Sequence, residues 1–191
     1  MLLFWIWIPA AGAKGKSSKE IHFRLVPQTG ILFKTGGGRL QDSLRSVIFV
    51  APEASLEFQI TNHWFGVLNF AYAQLRGKRV GGVTDNANMY GPTLGFKIVS
   101  DTNDASTGDF FDDTRWWFTL QAGPYVTDYQ SQGLGLARLV ETQIGANSGI
   151  GFDYFFKTNW GIGLQAKFHY VYYSRDDYIL FTAGPSLTLR F

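Results

Sequence analysis

His169 is the residue most open to a catalytic reading, and its surroundings point elsewhere. Histidine is scarce here, with three in 191 residues, and cysteine is absent. Without cysteine there is no disulfide, no thiolate nucleophile and no thiolate metal ligand. Gln165, Lys167 and His169 fall two residues apart, so in a strand all three share one face. A histidine base needs a nucleophile within hydrogen-bond reach. Ser174 has the opposite parity to His169 and points to the other face. His169 therefore reads as a packed polar group, and no catalytic residue is expected.

Acids and bases recur on alternating positions elsewhere. The set that falls on one face comprises Arg24, Glu53, Glu57, Gln59, Asn69, Lys97, Gln121, Asp153, Gln165, Lys167, His169 and Arg190. Both signs are present, so the groups can neutralise one another, and buried charges are tolerated when paired and hydrogen-bonded. Such a set suits a polar plug. Its rival is a narrow conduit in which Glu53 and Glu57 exchange partners among Lys97, Lys167 and Arg190.

Two other segments invite chemistry. Residues 101–113 hold five aspartates, and Ca²⁺ takes several oxygen ligands. The order of an EF-hand loop and its closing glutamate are missing, so the stretch reads as a solvated acidic loop. Its Phe110-Phe111 pair is left to pack under the fold or against a partner protein. The loop from Lys78 to Asn88 carries Gly81-Gly82 but has no strand-to-helix context, so it is no phosphate cradle. Neither metal nor cofactor is expected.

The elements that carry these residues are strands. From Tyr178 to Phe191 the odd positions include Ile179, Phe181, Ala183, Pro185, Leu187, Leu189 and Phe191, against Thr182, Gly184, Ser186, Thr188 and Arg190. A period of two gives one apolar and one polar face. About 9–11 residues suffice to cross a bilayer as a tilted strand. The same alternation runs over 23–34, 46–61, 65–73, 92–99, 116–127, 144–156 and 160–172. The sum is eight, and bacterial single-chain barrels have even strand numbers. An eight-stranded lumen is just wide enough for side chains to fill it.

Connections and aromatics agree. Asn62-His63 and Thr158-Asn159 are tight turns, whereas 35–45, 76–89 and 128–141 are longer. Short turns on one side and long loops on the other is the outer-membrane pattern. The long connection 101–114 and the short one at 175–177 depart from it. Phe58, Trp64, Trp116, Phe156, Trp160 and Phe191 gather at one set of strand ends, and Tyr72, Tyr170, Tyr172 and Phe181 toward the other. Rings of this kind belong at the two membrane interfaces.

Composition excludes several classes. Mean hydropathy is −0.04, and no apolar run reaches the roughly 18 residues of a membrane helix. A net charge of +2 is too small to imply nucleic acid. Residues 1–13 read as a signal peptide, with the apolar run Leu2–Ile8 and small residues at Ala11-Gly12-Ala13. Too short to span as a helix, the run also lacks a preceding base. The barrel domain is expected over 14–191.

The alternating strands and the terminal Ser186-Leu187-Thr188-Leu189-Arg190-Phe191 resemble the small bacterial outer-membrane barrel superfamily of the OmpA barrel domain, OmpX and OmpW. The resemblance is architectural, covers nearly all of 14–191, and does not extend to a peptidoglycan-binding domain. It implies an all-β, eight-stranded antiparallel meander closed into a transmembrane barrel in the bacterial outer membrane. It implies lipid and lipopolysaccharide around the wall, and the barrel-assembly machinery as a partner that reads Phe191. The expected role is non-enzymatic, structural or surface-exposed, including as a subunit of an envelope complex. The alternatives are an OmpW-like channel for small or amphiphilic molecules, a lipid A-modifying barrel enzyme, and a soluble lipocalin-type binder. The lipid A deacylases carry a histidine and a serine two residues apart, and His169 is followed by Tyr170 and Val171.

Deleting Phe191 should lower the amount of heat-modifiable, membrane-embedded protein in cells more than it lowers refolding yield in micelles. Equal insertion of the wild type and the deletion would remove the targeting role and leave the last strand as closure alone.

Overall fold

The computed structural model describes residues 19–35, 48–76, 85–100, 114–131, 138–172 and 177–191. Every element among them is a strand. The first barrel strand runs as Ile21–Val26 and Thr29–Thr35, the second as Ile48–Val50 and Glu53–Gln59. Then follow Trp64–Arg76, Asp85–Val99, Thr114–Ser131, Leu139–Lys157, Trp160–Tyr172 and Asp177–Arg190. Each strand pairs antiparallel with the next. The eighth pairs back onto the first, from His22 opposite Arg190 to Thr35 opposite Asp177. The result is a closed eight-stranded meander.

Prolines explain the two split strands. Pro27 and Pro52 stand at the breaks, and proline donates no ladder hydrogen bond. The register is the same on both sides of each break, so each pair of runs is one barrel strand. Ala51 N still donates to Gln28 O across the gap at 2.8 Å.

Parity is kept along the strands, as the sequence predicts, up to a register shift at Phe155–Lys157 beside the turn into the seventh strand. Leu94, Leu120, Ile150, Ile162, Leu164, Phe168 and Leu187 face outward and are exposed. Gln121, Asp153, Gln165 and Thr188 face the lumen and are buried. A large apolar surface left bare on one face is the mark of a membrane-facing wall. Trp64 and Phe96 stack on that wall with ring centroids 5.4 Å apart, Trp116 and Phe152 at 5.3 Å. Tyr72 and Tyr90 pair nearer the other end, also at 5.3 Å.

The strands outrun the sequence expectation on the long-loop side. The third continues to Arg76, the fourth begins at Asp85 rather than Pro92, and the fifth and sixth reach Ser131 and Leu139. The reason is an inversion of polarity at fixed parity. Ala87 and Met89 point inward and are buried, while Asn88 points outward, where Tyr72 Oη donates to its Oδ1 at 2.9 Å. Apolar-out alternation stops there, but the ladder does not. Residues 1–13, the acidic 101–113 and the loop 77–84 lie outside the described residues.

Inward glycines make room for the largest lumen side chains. A Cβ on Gly91 would lie 2.6 Å from the Tyr125 ring, and one on Gly145 2.7 Å from it. Both distances are overlaps, so Tyr125 crosses the lumen only because two neighbouring strands lack side chains there.

Arginine in place of Leu164 or Leu120 should destabilise the protein by about 2–4 kcal/mol near the midplane, read by urea unfolding in bilayers. A cost near zero would put these positions in water instead of lipid.

Candidate functional site

The lumen is layered, and each layer draws on several strands. Its floor is apolar, made by Phe65, Val99 and Trp117. Above it lie two cations and two anions. Arg24 donates from Nε to Glu57 Oε1 at 2.9 Å and from Nη1 to Asp153 Oδ1 at 2.8 Å. Lys97 Nζ reaches Glu57 Oε2 at 2.8 Å and Asp153 Oδ2 at 3.5 Å. Thr188 Oγ1 adds a hydrogen bond to Asp153 at 3.2 Å. The Arg24 guanidinium and the Lys97 ammonium lie 4.7 and 4.9 Å from the centre of the Trp117 ring. Cations over an aromatic face are stabilised most when water is excluded, as it is here.

A second ion pair stands higher, where Lys167 donates to Glu53. Gln165 Nε2 donates to the same carboxylate at 3.3 Å and to Gln28 Oε1 at 3.1 Å. Beside this pair runs a neutral chain. Asn147 Nδ2 donates to Tyr125 Oη at 3.2 Å. Tyr125 Oη lies 3.1 Å from His169 Nδ1, and His169 Nε2 lies 3.2 Å from Thr182 Oγ1. Thr93 Oγ1 donates to Gln121 Oε1 at 2.9 Å.

His169 thus does meet a hydroxyl, one that sequence spacing missed because Thr182 lies on the next strand. The Tyr125 oxygen has two lone pairs, so with Asn147 donating to it the phenol can either donate to Nδ1 or accept from it. His169 and Thr182 are both buried inside the barrel, turned away from the lipid face.

Arg190 stands apart from both ion-pair layers, at the mouth where the strands begin. Its Nε donates to Thr158 O at 2.7 Å, and its Nη1 lies 3.4 Å from Glu20 Oε1. Glu20 also meets Arg115 Nη1 at 3.2 Å and His22 Nε2 at 3.0 Å. Burial opposes ionisation of Glu20, but His22, Arg115 and Arg190 outweigh it and hold the carboxyl down at about 2. The envisaged exchange of Glu53 and Glu57 among Lys97, Lys167 and Arg190 is not poised in this arrangement. Glu57 is held by Arg24 and Lys97, Glu53 by Lys167, and Arg190 is engaged elsewhere.

Phe191 lies beside the first strand. Its N donates to Ile21 O at 2.9 Å and its O accepts from Ile21 N at 3.3 Å, with the side chain exposed. Trp117, His22 and Arg115 are lumen residues that the sequence reading passed over. Trp117 follows outward-facing Trp116 and has the inward parity of Gln121, and Arg115 lies one residue before the alternation that begins at Trp116. His22 has the parity of Arg24 and was legible from it.

The end of the lumen toward the longer connections is mainly apolar, with a polar pair where Thr127 Oγ1 donates to Gln143 Oε1 at 3.2 Å. Leu32, Phe49, Ala51, Ala73, Leu75, Ala87, Met89, Val171, Tyr178 and Leu180 pack together with Tyr125.

No protein-family model matches the chain, and no curated protein matches it in sequence. Solved structures do match. Neisserial surface protein A superposes with a TM-score of 0.61 at 11% identity, over 93% of this chain and 100% of that one. The outer membrane protein OprG from Pseudomonas aeruginosa gives 0.57 at 11% identity, over 93% and 98%. Ail, the attachment invasion locus protein of Yersinia pestis, gives 0.55 at 13% identity, over 92% and 100%. The fold is that of a small bacterial outer-membrane β-barrel. At such identities the likeness carries the fold alone, while the lumen residues are this chain's own.

Replacing Arg24 by methionine leaves Glu57 and Asp153 with Lys97 as their remaining cation. Removing one partner of a buried pair costs about 3–5 kcal/mol, and Arg24→Met should show a loss of that size in unfolding from lipid. Combined with Asp153→Asn, the loss should be clearly less than additive. Additivity would show that the two groups do not interact.

Proposed function

We propose that the protein is a closed, non-enzymatic barrel with a structural or surface-displayed role in the bacterial outer membrane, including as a subunit of an envelope complex. One observation carries this reading. The charged layer of Arg24, Lys97, Glu57 and Asp153 is neutralised within itself and sits on the apolar floor of Phe65, Val99 and Trp117. An ion entering this layer would have to displace paired charges that are shut off from water, which opposes steady passage. Its partners on this reading are outer-membrane lipid and lipopolysaccharide around the wall, and the barrel-assembly machinery during insertion. Passage of small or amphiphilic molecules is the second reading, and the apolar upper lumen favours it. A lipid-modifying activity is disfavoured by the placement of His169 and Thr182, which are buried inside the barrel and turned away from the lipid face.

Planar-bilayer recordings of purified monomer should show little or no steady current at neutral pH. A large stable conductance would overturn the closed-barrel reading. Sensitivity of that current to Glu53→Gln or Glu57→Gln would then assign these acids to a gate.

A further inference from the structure

We propose that the barrel wall opens laterally between its first and eighth strands and admits a linear apolar chain, the acyl chain of a lipid or fatty acid, into the upper lumen. The argument begins with hydrogen-bond phase. Ile21 and Phe191 exchange both backbone bonds, and such two-bond rungs recur at every second residue of an antiparallel pair. Phe23 with Leu189 and Leu25 with Leu187 follow in register. The next rung falls on Pro27 and Pro185. Neither has an N–H, so this rung forms no bond from either side. Pairing stops after Leu25 opposite Leu187 and resumes at Thr29 opposite Ala183. Four residues at about 3.3 Å each leave roughly 13 Å of seam without a ladder bond.

The opposite side of the barrel repeats the device. Ser100 N donates to Trp116 O at 2.8 Å and sets the phase between the fourth and fifth strands. In that phase Pro92 faces Pro124 on a two-bond rung, and pairing is interrupted from Tyr90 opposite Val126 to Leu94 opposite Ala122. Backbone groups that lose their partners in hydrocarbon are costly, so two proline-paired rungs are not neutral ornament. At both seams a glycine draws the strands together. A Cβ on Gly184 would lie 2.6 Å from Pro27 O, and one on Gly123 2.2 Å from Pro92 O. The seams are shut by close packing in place of hydrogen bonds.

The first–eighth seam lies within the membrane-facing band, between exposed Leu25 and Leu187 on one side and Ile31 and Phe181 on the other. Behind it sits a cavity bordered by Gln28, Phe49, Met89, Tyr125, His169 and Leu180. It offers about 20 Å³ to the centre of a water-sized occupant, within about 300 Å³ of free space that includes its open side. Closed, it has room for one water. Admission of a chain therefore requires side chains to move, and the unbranched Met89 is suited to that. Gln28, His169 and Thr182 form a polar floor, and the packed side chains above it carry no charge. Ions and sugars gain nothing in such surroundings, whereas a chain of methylenes does.

A reversible lock tests the seam. Val26 and Ser186 face each other on the flanking non-bonded rung, where Cα atoms are about 4.5 Å apart, within the range a disulfide spans. The chain has no cysteine, so Val26→Cys with Ser186→Cys forms a unique pair. The protein, reconstituted in bilayers, is irradiated with a phospholipid or a free fatty acid carrying a diazirine in its acyl chain. In the reduced protein, inward Phe49, Met89 and Leu180 should be labelled. Oxidation should abolish that labelling and leave outward Tyr90 and Phe181 labelled as before, and reductant should restore it. Labelling from the phospholipid identifies leaflet lipid as the source, and labelling from the fatty acid alone identifies a free acid. Pro27→Val with Pro185→Val restores two donors and should reduce inward labelling without loss of heat-modifiability. Inward residues unlabelled by both probes would overturn the proposal, as would equal labelling of the oxidised protein.

Discussion

Hydrocarbon offers a backbone amide no hydrogen bond, so a chain that crosses it as strands must satisfy every N–H and C=O from its own ladder. The ladder then has to close, because an open sheet keeps two bare edges. Here closure depends on the eighth strand meeting the first on both sides of the proline rung, from Phe191 beside Ile21 to Leu187 opposite Leu25 and from Ala183 opposite Thr29 to Asp177 opposite Thr35. Once closure fixes the register, everything else follows in position. Each side chain is assigned to lipid or lumen, and residues far apart in the chain become neighbours across the barrel. The same constraint makes the paired prolines conspicuous, since they remove donors where hydrocarbon punishes their loss most.

The inside of the barrel solves a different problem. An eight-stranded lumen has to be filled, and this one is filled in layers of opposite character. Paired charges are held above an apolar floor, a neutral hydrogen-bonded chain runs through Tyr125 and His169, and an apolar cluster closes the other end. Buried ion pairs add little net stability over apolar packing and become costly when one partner is lost. Their value here is that they make the filling insoluble in lipid and specific in register. Arg24 meets Asp153 only if the first and sixth strands are set correctly around the barrel, and a slip of one residue would send both into the bilayer.

Polarity along the strands shows how one parity serves two solvents. Within the band that meets lipid, apolar residues point out and polar ones in. Toward the longer connections the outward positions become polar, as at Asn88, and the inward ones apolar, as at Met89 and Leu180. The upper barrel is thus built like a water-soluble one, continuous with a lower part built for lipid.

The sequence by itself determined the strands, their number, their two faces and the barrel class, because a period of two is a local property that hydrocarbon on one side makes legible. It also determined which face Glu53, Glu57, Lys97, Asp153 and Lys167 would take. Strand ends are hidden from it where the outward face turns polar, because apolar-out alternation stops there while the ladder continues. Pairing lay beyond it. That Arg24 grips Asp153, that Thr182 meets His169, that Arg190 serves the mouth, and that Pro27 faces Pro185 are consequences of register between different strands. Side-chain alternation carries no information about register until the ladder closes, and closure is a property of the whole barrel.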